Sequence, residues 1–255
     1  MDTKKKQTSD DKGKQKYLII FDFDNTLISK NTDQEIIRAQ SLVGKCVSAK
    51  NWFTNTVGWA ESMSFTLKEL HENNFSKQDV DNIIKTIPLL DGMLNAINVL
   101  KGKKENLELV MVSHSNSYFI DVLLREFNMS SLFDTIYTYE SEWTNEQLFI
   151  RPYDVPHTMC ELCPIDFCKG VCVETHKERM DWRKGESYKS IVYVGDGTAD
   201  FCAALTLSKD DYVLARSDYS LHKRILKDNG KNLKANHVVW KNGHDVADFF
   251  NKLFM

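Results

Sequence analysis

The sequence predicts an α/β protein: a Rossmann-like parallel sheet with helices on both faces and a helical cap inserted after the first strand. Three observations carry this expectation. Tyr17 to Phe21, YLIIF, is an unbroken apolar and β-prone run, as expected of a strand covered on both faces. From Pro88 onward, strand-like and helix-like segments alternate, which implies right-handed crossovers and parallel pairing. Between the two, from Asn31 to Pro88, the strand signal vanishes and helical spacing takes over.

A chain of 255 residues is long enough for one sizeable core and a small insert. Its net charge of -3 gives no general electrostatic reason to expect nucleic acid or an anionic membrane as partner, so an anionic substrate needs a local positive site. No apolar run approaches the ~20 residues of a membrane span, and the N-terminus lacks the apolar core of a signal peptide. A soluble, cytoplasmic protein is the expectation. Six cysteines in such a chain read as thiols or metal ligands rather than a disulfide framework. The oligomeric state is not legible.

Taken in order, residues 1–16 mix both charges and hold no large apolar residue after Met1, so they read as a disordered tail. Residues 17–30 and 89–255 form the expected α/β core, and 31–88 the helical cap. In the cap, Ile36, Ile37 and Leu42 share a face, and Trp52, Phe53, Val57 and Trp59 form its own core or a lid over substrate. Ser76 opens a further helix with a capping-box pattern. In the core, a helix near 93–100 precedes a strand over 107–112, a helix over 118–127 and a strand over 133–139. Thr135–Tyr139 and Gln147–Arg151 read as a hairpin. A helix near 171–180, strand 190–194, helix 199–207, strands 212–215 and 237–240 and a closing helix 246–254 complete the pattern.

Three of these strands end in polar clusters: Asp22-Phe-Asp24, Ser113-His-Ser-Asn116 and Gly195-Asp-Gly-Thr-Ala-Asp200. In a parallel sheet such ends lie along one edge, where open α/β folds bind ligands. Singly, each has a plain explanation: an acid can cap a turn, and Gly-Asp-Gly occurs in many loops. Together they gather several carboxylates in one pocket, which is unfavourable without a cation. Hard oxygen ligands point to Mg²⁺, which takes one or two carboxylates, waters and a substrate phosphate. Gly195 and Gly197 allow a sharp turn around Asp196 and a close approach of the chain.

In order and spacing, DFDNT (residues 22–26), Ser113, a downstream lysine and GDGTAD (195–200) resemble the haloacid dehalogenase superfamily of phosphohydrolases. HTMCELCPIDFCKG, residues 157–170, looks like a signature segment of the phosphoethanolamine/phosphocholine phosphatase family, whose relatives also act on pyridoxal phosphate, thiamine monophosphate and pyrophosphate. IPLLDGM (87–93) and VYVGDGTADFC (192–202) fit the same family. The resemblance implies a Mg²⁺-dependent phosphatase acting on a small phosphorylated metabolite, first phosphoethanolamine or phosphocholine, through an aspartyl phosphate. A phosphotransferase using the same nucleophile is the mechanistic rival. It further implies Asp22 as nucleophile and Asp24 as proton donor and acceptor. Mg²⁺ would rest on Asp22, the Asp24 carbonyl and Asp196, with Asp200 as a further ligand, directly or through water. Ser113 and Lys169 would hold the phosphate; Lys177, Lys184 and Lys189 are nearby competitors. Thr26 would fix the loop. Asp33, in the triplet Asn31-Thr-Asp33, together with His114 and Asn116, would contact the rest of the substrate. His114 stands where family members that accept aminoalcohol phosphates carry an acid.

Cys160, Cys163, Cys168 and Cys172, with His157 close by, have the ligand types of a zinc site, though their gaps of two, four and three residues are compressed. Buried thiols ordering the loop before Lys169 are the alternative. Cys46 and Cys202 read as core thiols.

Overall fold

The computed structural model describes residues 16–40, 58–153, 160–184, 187–227 and 229–255. The expected tail, apart from Lys16, lies outside these residues, as do Leu42, Cys46, Trp52, Phe53, Val57 and His157.

β1 (Tyr17–Phe21) is central, and Leu18 through Phe21 have no exposed surface. It is flanked by β2 (Leu107–Asn116) and β6 (Ser190–Gly195), and the six-stranded sheet continues through β3 (Thr135–Tyr139), β7 (Tyr212–Arg216) and β8 (Asn236–Trp240) in the order β3-β2-β1-β6-β7-β8. Every pairing is parallel. The chain winds outward from β1 in both directions, which makes the carboxyl end of β1 the topological switch point, where doubly wound sheets open a crevice. Helices cover both faces. α4 (Met93–Lys101) pairs with α9 (Gly243–Leu253), whereas α6 (Lys169–Lys184), α7 (Thr198–Ala204) and α8 (Ser220–Lys227) pack in a row. α5 (Ser117–Glu126) follows β2.

Between β1 and α4 the chain forms α1 (Thr32–Gln40), α2 (Trp59–Glu72) and α3 (Lys77–Lys85). Ser76 and Asp79 make the expected capping box at the start of α3. The insert leaves and rejoins the core side by side: Ser29 N–H donates to the Pro88 carbonyl and Leu90 N–H to that of Leu27, both at 3.0 Å. Among the described residues its apolar face joins the main core: Ile36, Ala60, Met63, Leu67, Val80 and Ile84 belong to one continuous cluster with the sheet residues.

Several expectations are corrected. Thr135–Tyr139 is no hairpin arm; it lies parallel to β2, and the hairpin joins β4 (Ser141–Thr144) to β5 (Gln147–Ile150). Asn145 and Glu146 turn it with φ of 50° and 61°, the left-handed pair of a tight hairpin turn without the glycine that marks one in sequence. β2 runs on to Asn116 through an irregularity after Val112. α6 begins at Lys169, two residues earlier than expected, and α8 was not foreseen. Gly195 and Gly197 do not supply left-handed backbone, and Gly197 has φ of -94°.

Candidate active site

Register brings the strand ends together. Phe21 pairs with Met111 on one side and Val194 on the other, so the chains emerge beyond Asp22, Val112 and Gly195 on one edge. Asp22 N–H donates to the Val194 carbonyl at 2.9 Å, carrying the ladder one residue further. The chain then turns back: the Phe23 carbonyl accepts from the N–H groups of Thr26, Leu27 and Ile28, and Asn25 takes φ of 53°, a left-handed conformation that asparagine tolerates. This turn aims Asp24 at the start of α1. There Thr32 N–H donates to Asp24 Oδ1 at 3.0 Å and Thr32 Oγ1 to Oδ2 at 3.2 Å, while Thr32 Oγ1 also meets Ser115 Oγ at 2.9 Å.

Lys169, the first residue of α6, is buried with its Nζ 2.7 Å from both Asp22 Oδ1 and Asp200 Oδ1. Its third proton has no acceptor among the described residues. The competitors lie elsewhere: Lys177 donates to the Thr206 carbonyl and Lys189 sits over the Tyr17 ring, while the side chain of Lys184 falls outside the described residues. Asp200 is fully engaged. Its Oδ1 also accepts from Tyr193 Oη at 2.7 Å, and its Oδ2 accepts the N–H groups of Asp196 at 2.9 Å and Gly197 at 2.7 Å. With all four lone pairs taken, Asp200 holds the Asp196 loop and the lysine in place, and direct metal ligation would displace one of these donors. Gly195 is required by close approach, since a Cβ there would lie 2.5 Å from Asp200 Oδ2. Thr26 Oγ1 donates to Asp196 Oδ1 at 3.3 Å. Ser113 Oγ accepts the Ser115 N–H at 3.0 Å and has no acceptor for its own proton among the described residues.

Asp22, Asp24, Asp196 and Asp200 are all buried, and Lys169 is the one buried lysine or arginine among the described residues. Burial is the main influence raising the carboxyl of Asp22 to about 7, with Asp200 adding repulsion and Lys169 opposing it. Asp24 is pushed well up by burial and then by Asp33, and Asp196 by burial and then by Asp22. Burial would raise Asp200 too, but the Lys169 charge and the donated hydrogen bonds bring it below the ordinary value. A pocket that forces protons onto its own acids fits a bound cation, and oxygens of Asp22, Asp196 and Asp200 lie within 4.8 Å of one another.

The three expected substrate contacts fare differently. Asp33 is buried; its Oδ2 accepts from the Trp59 indole N–H at 2.6 Å, its Oδ1 has no partner among the described residues, and burial raises it to about 7. His114 packs edge-on to Phe167 with ring centres 5.0 Å apart, and burial, then Lys169, lowers it to about 3, so it is a neutral imidazole. Asn116 is the N-cap of α5 through Oδ1, which accepts from Phe119 N–H at 3.1 Å and Ser141 Oγ at 3.2 Å, while its buried Nδ2 has no partner among the described residues. Thr32, Ser115 and Tyr193 were missed. Thr32 lay inside a triplet read only for its acid, and Tyr193 inside a strand read as core. The cysteine grouping is also corrected: the fourth thiol beside Cys160, Cys163 and Cys168 is Cys202, while Cys172 lies against Tyr153.

Comparison with known proteins gives a family and a fold. The family model described as Putative Phosphatase matches residues 17–254. The chain is 28% identical over 235 residues to the pyridoxal phosphate phosphatase PHOSPHO2 of Rattus norvegicus, covering 91% of this chain and 95% of that one. It is 29% identical over 250 residues to the phosphoethanolamine/phosphocholine phosphatase of Gallus gallus, covering 93% and 89%. Among solved structures, a phospho-aspartyl intermediate analogue of phosphoserine phosphatase superposes with a TM-score of 0.58 at 18% identity, covering 92% of this chain and 99% of that one, a likeness of fold.

Proposed function

The chain belongs to the Putative Phosphatase family of the haloacid dehalogenase superfamily and is a phosphoric monoester hydrolase, and from this premise we propose that it is Mg²⁺-dependent and works through an aspartyl phosphate on Asp22. The observation that carries the reading is Lys169 Nζ, buried and bridging Asp22 and Asp200 with one proton left to donate. A lysine so held orients the nucleophile and presents positive charge to a phosphoryl oxygen.

In the first displacement an Asp22 oxygen attacks phosphorus and the bond to the leaving alcohol breaks. Asp24, kept protonated by burial and by Asp33, gives its proton to the leaving oxygen. In the second, Asp24 takes a proton from the water that attacks phosphorus, and Asp22 is released. Thr32 fixes both oxygens of Asp24, so the same carboxyl faces the bond in both steps. Ser113 donates its free proton to the phosphate. Asp22, Asp196 and the Asp24 carbonyl would hold the Mg²⁺, whose bound charge offsets repulsion between phosphate and carboxylates. α1, α2 and α3 act as a cap that excludes water from the first step.

The substrate is a small phosphomonoester. The unpartnered Asp33 Oδ1 suits a cationic amine, which favours phosphoethanolamine or phosphocholine. The neutral His114 beside Phe167 and Tyr139 favours a flat aromatic substrate such as pyridoxal phosphate as the second reading. Phosphate release from these three and from thiamine monophosphate, with and without Mg²⁺, tests the proposal. Mg²⁺-dependent release from at least one, absent in Asp22→Asn, is expected. Hydrolysis that persists without Mg²⁺ or in the variant would sink it.

A further inference from the structure

The loop that delivers Lys169 is built around sulfur. Cys160 Sγ lies 3.5 Å from Cys202 Sγ, Cys168 Sγ lies 3.6 Å from the same atom, and the sulfurs of Cys160, Cys163, Cys168 and Cys202 are all within 4.8 Å of one another. A tetrahedral ion with sulfur ligands at about 2.3 Å sets its sulfurs about 3.8 Å apart. A disulfide needs about 2.05 Å and would join only two of the four. We propose that Cys160, Cys163, Cys168 and Cys202 form a tetrathiolate site for one structural Zn²⁺ ion, which locks the loop of residues 160–168 onto α7.

Further features set this cluster apart from buried thiols used as small apolar groups. Cys163 Sγ reaches the first turn of α7, 4.0 Å from the Ala199 carbonyl oxygen. Cys168 also stands at the N-terminus of the sixteen-residue α6, the positive end of its dipole. Gly170 is held in close approach: a Cβ there would lie 2.8 Å from Cys202 Sγ and 3.2 Å from the Cys202 carbonyl oxygen. Cys160 and Cys163 form one local pair, Cys168 closes the loop, and Cys202 comes from a separate helix, so the ion ties two elements together as structural zinc does. Binding displaces the thiol protons to solvent, leaving four thiolates around Zn²⁺ with no redox partner needed.

The site does not depend on the phosphatase reading, although its ligands flank the machinery: Cys168 precedes Lys169, and Cys202 lies two residues after Asp200. The test uses the full chain without a metal-binding tag, purified under reducing conditions. Elemental analysis should find about one zinc per chain, and zinc absorption-edge spectroscopy a shell of four sulfurs at about 2.3 Å. Cys163→Ser and Cys202→Ser should lose the zinc, whereas Cys172→Ala and Asp22→Asn should keep it. The proposal is overturned by protein that holds no zinc as purified or after zinc addition, by bound iron, by an oxygen-rich shell, or by a Cys160–Cys202 disulfide in unreduced peptides. If the serine variants are insoluble, the spectrum of the unaltered protein decides.

Discussion

Asp22→Asn should abolish turnover and yet stabilise the magnesium-free protein. The Asp22 carboxyl rises from 3.8 to about 7 on folding, through burial first and Asp200 second, with Lys169 opposing. Because the folded value lies above the unfolded one, ionising this group opposes folding. The penalty is absent below the unfolded value, grows between 3.8 and about 7, and is complete above that. At ~1.36 kcal/mol per pKa unit its ceiling is about 4 kcal/mol. Asparagine keeps the shape and an oxygen for Lys169, which also retains Asp200, so part of the attraction survives and a gain of about 1–3 kcal/mol is expected at pH above 7. For a chain of this size that is a rise in Tm of roughly 2–12 °C, shrinking as the pH falls toward about 5. Melting curves in Mg²⁺-free buffer across this range read the effect, and chelators are avoided so that any bound zinc stays in place. Added Mg²⁺ should stabilise the unaltered protein more than the variant. A variant that melts lower at pH above 7 would show that the Lys169 attraction outweighs burial, refuting the account of a pocket short of positive charge.

Gly195→Ala should destabilise by about 1–3 kcal/mol and lower activity, because the new Cβ meets Asp200 Oδ2; chemical denaturation measures the first. Asn116→Ala should lose about 0.5–2 kcal/mol of stability as a missing helix cap, and a KM raised alongside would show that Nδ2 also contacts substrate. Asp33, raised to about 7, is ionised only above that pH, so KM for phosphoethanolamine should fall as pH rises through it. The fall is at most about tenfold between about pH 6 and pH 8, and Asp33→Asn should flatten it; an unchanged profile in that variant removes Asp33 from substrate binding.

What was legible in the sequence was what local pattern encodes. The apolar run of β1 and the ordered clusters at three strand ends place Asp22, Ser113 and Asp196 on one edge, because parallel pairing with short crossovers leaves few alternatives. Lys169 stands out from its competitors only through the resemblance of the Cys168-Lys169 pair to the family segment, not through its local pattern. Pairing across distance was not legible. Thr135–Tyr139 alternates as a hairpin arm would, and period-two patterning does not say whether its neighbour runs parallel. Cys202 sits in a short helix whose sequence gives no sign that its sulfur turns toward a loop thirty-four residues away at Cys168. α8 escaped because only Leu221 and Ile225 are buried along a stretch crowded with His222, Lys223, Arg224 and Lys227.

The loop between β5 and α6 joins three regions that a sequence reading treats separately. Near its end Asp166 accepts the N–H of Trp59 at 3.1 Å and the hydroxyl of Tyr139 at 2.9 Å through Oδ1, and the N–H of Ala60 at 3.0 Å through Oδ2. It therefore caps α2 from outside, at a helix whose own N-cap, Gly58, has no side chain to do so. Gly58 is needed for this approach, since a Cβ there would lie 2.3 Å from Asp166 Oδ2. Trp59, held by Asp166 through its backbone, reaches Asp33 with its indole. Three residues after Asp166, Lys169 enters the acidic pocket, and Cys168 between them turns toward α7. A displacement of this loop cannot move the lysine without also moving the carboxylate that anchors the insert. The position of α2 beside the sheet edge and the charge available to Asp22 thus depend on one short segment, Asp166 to Lys169.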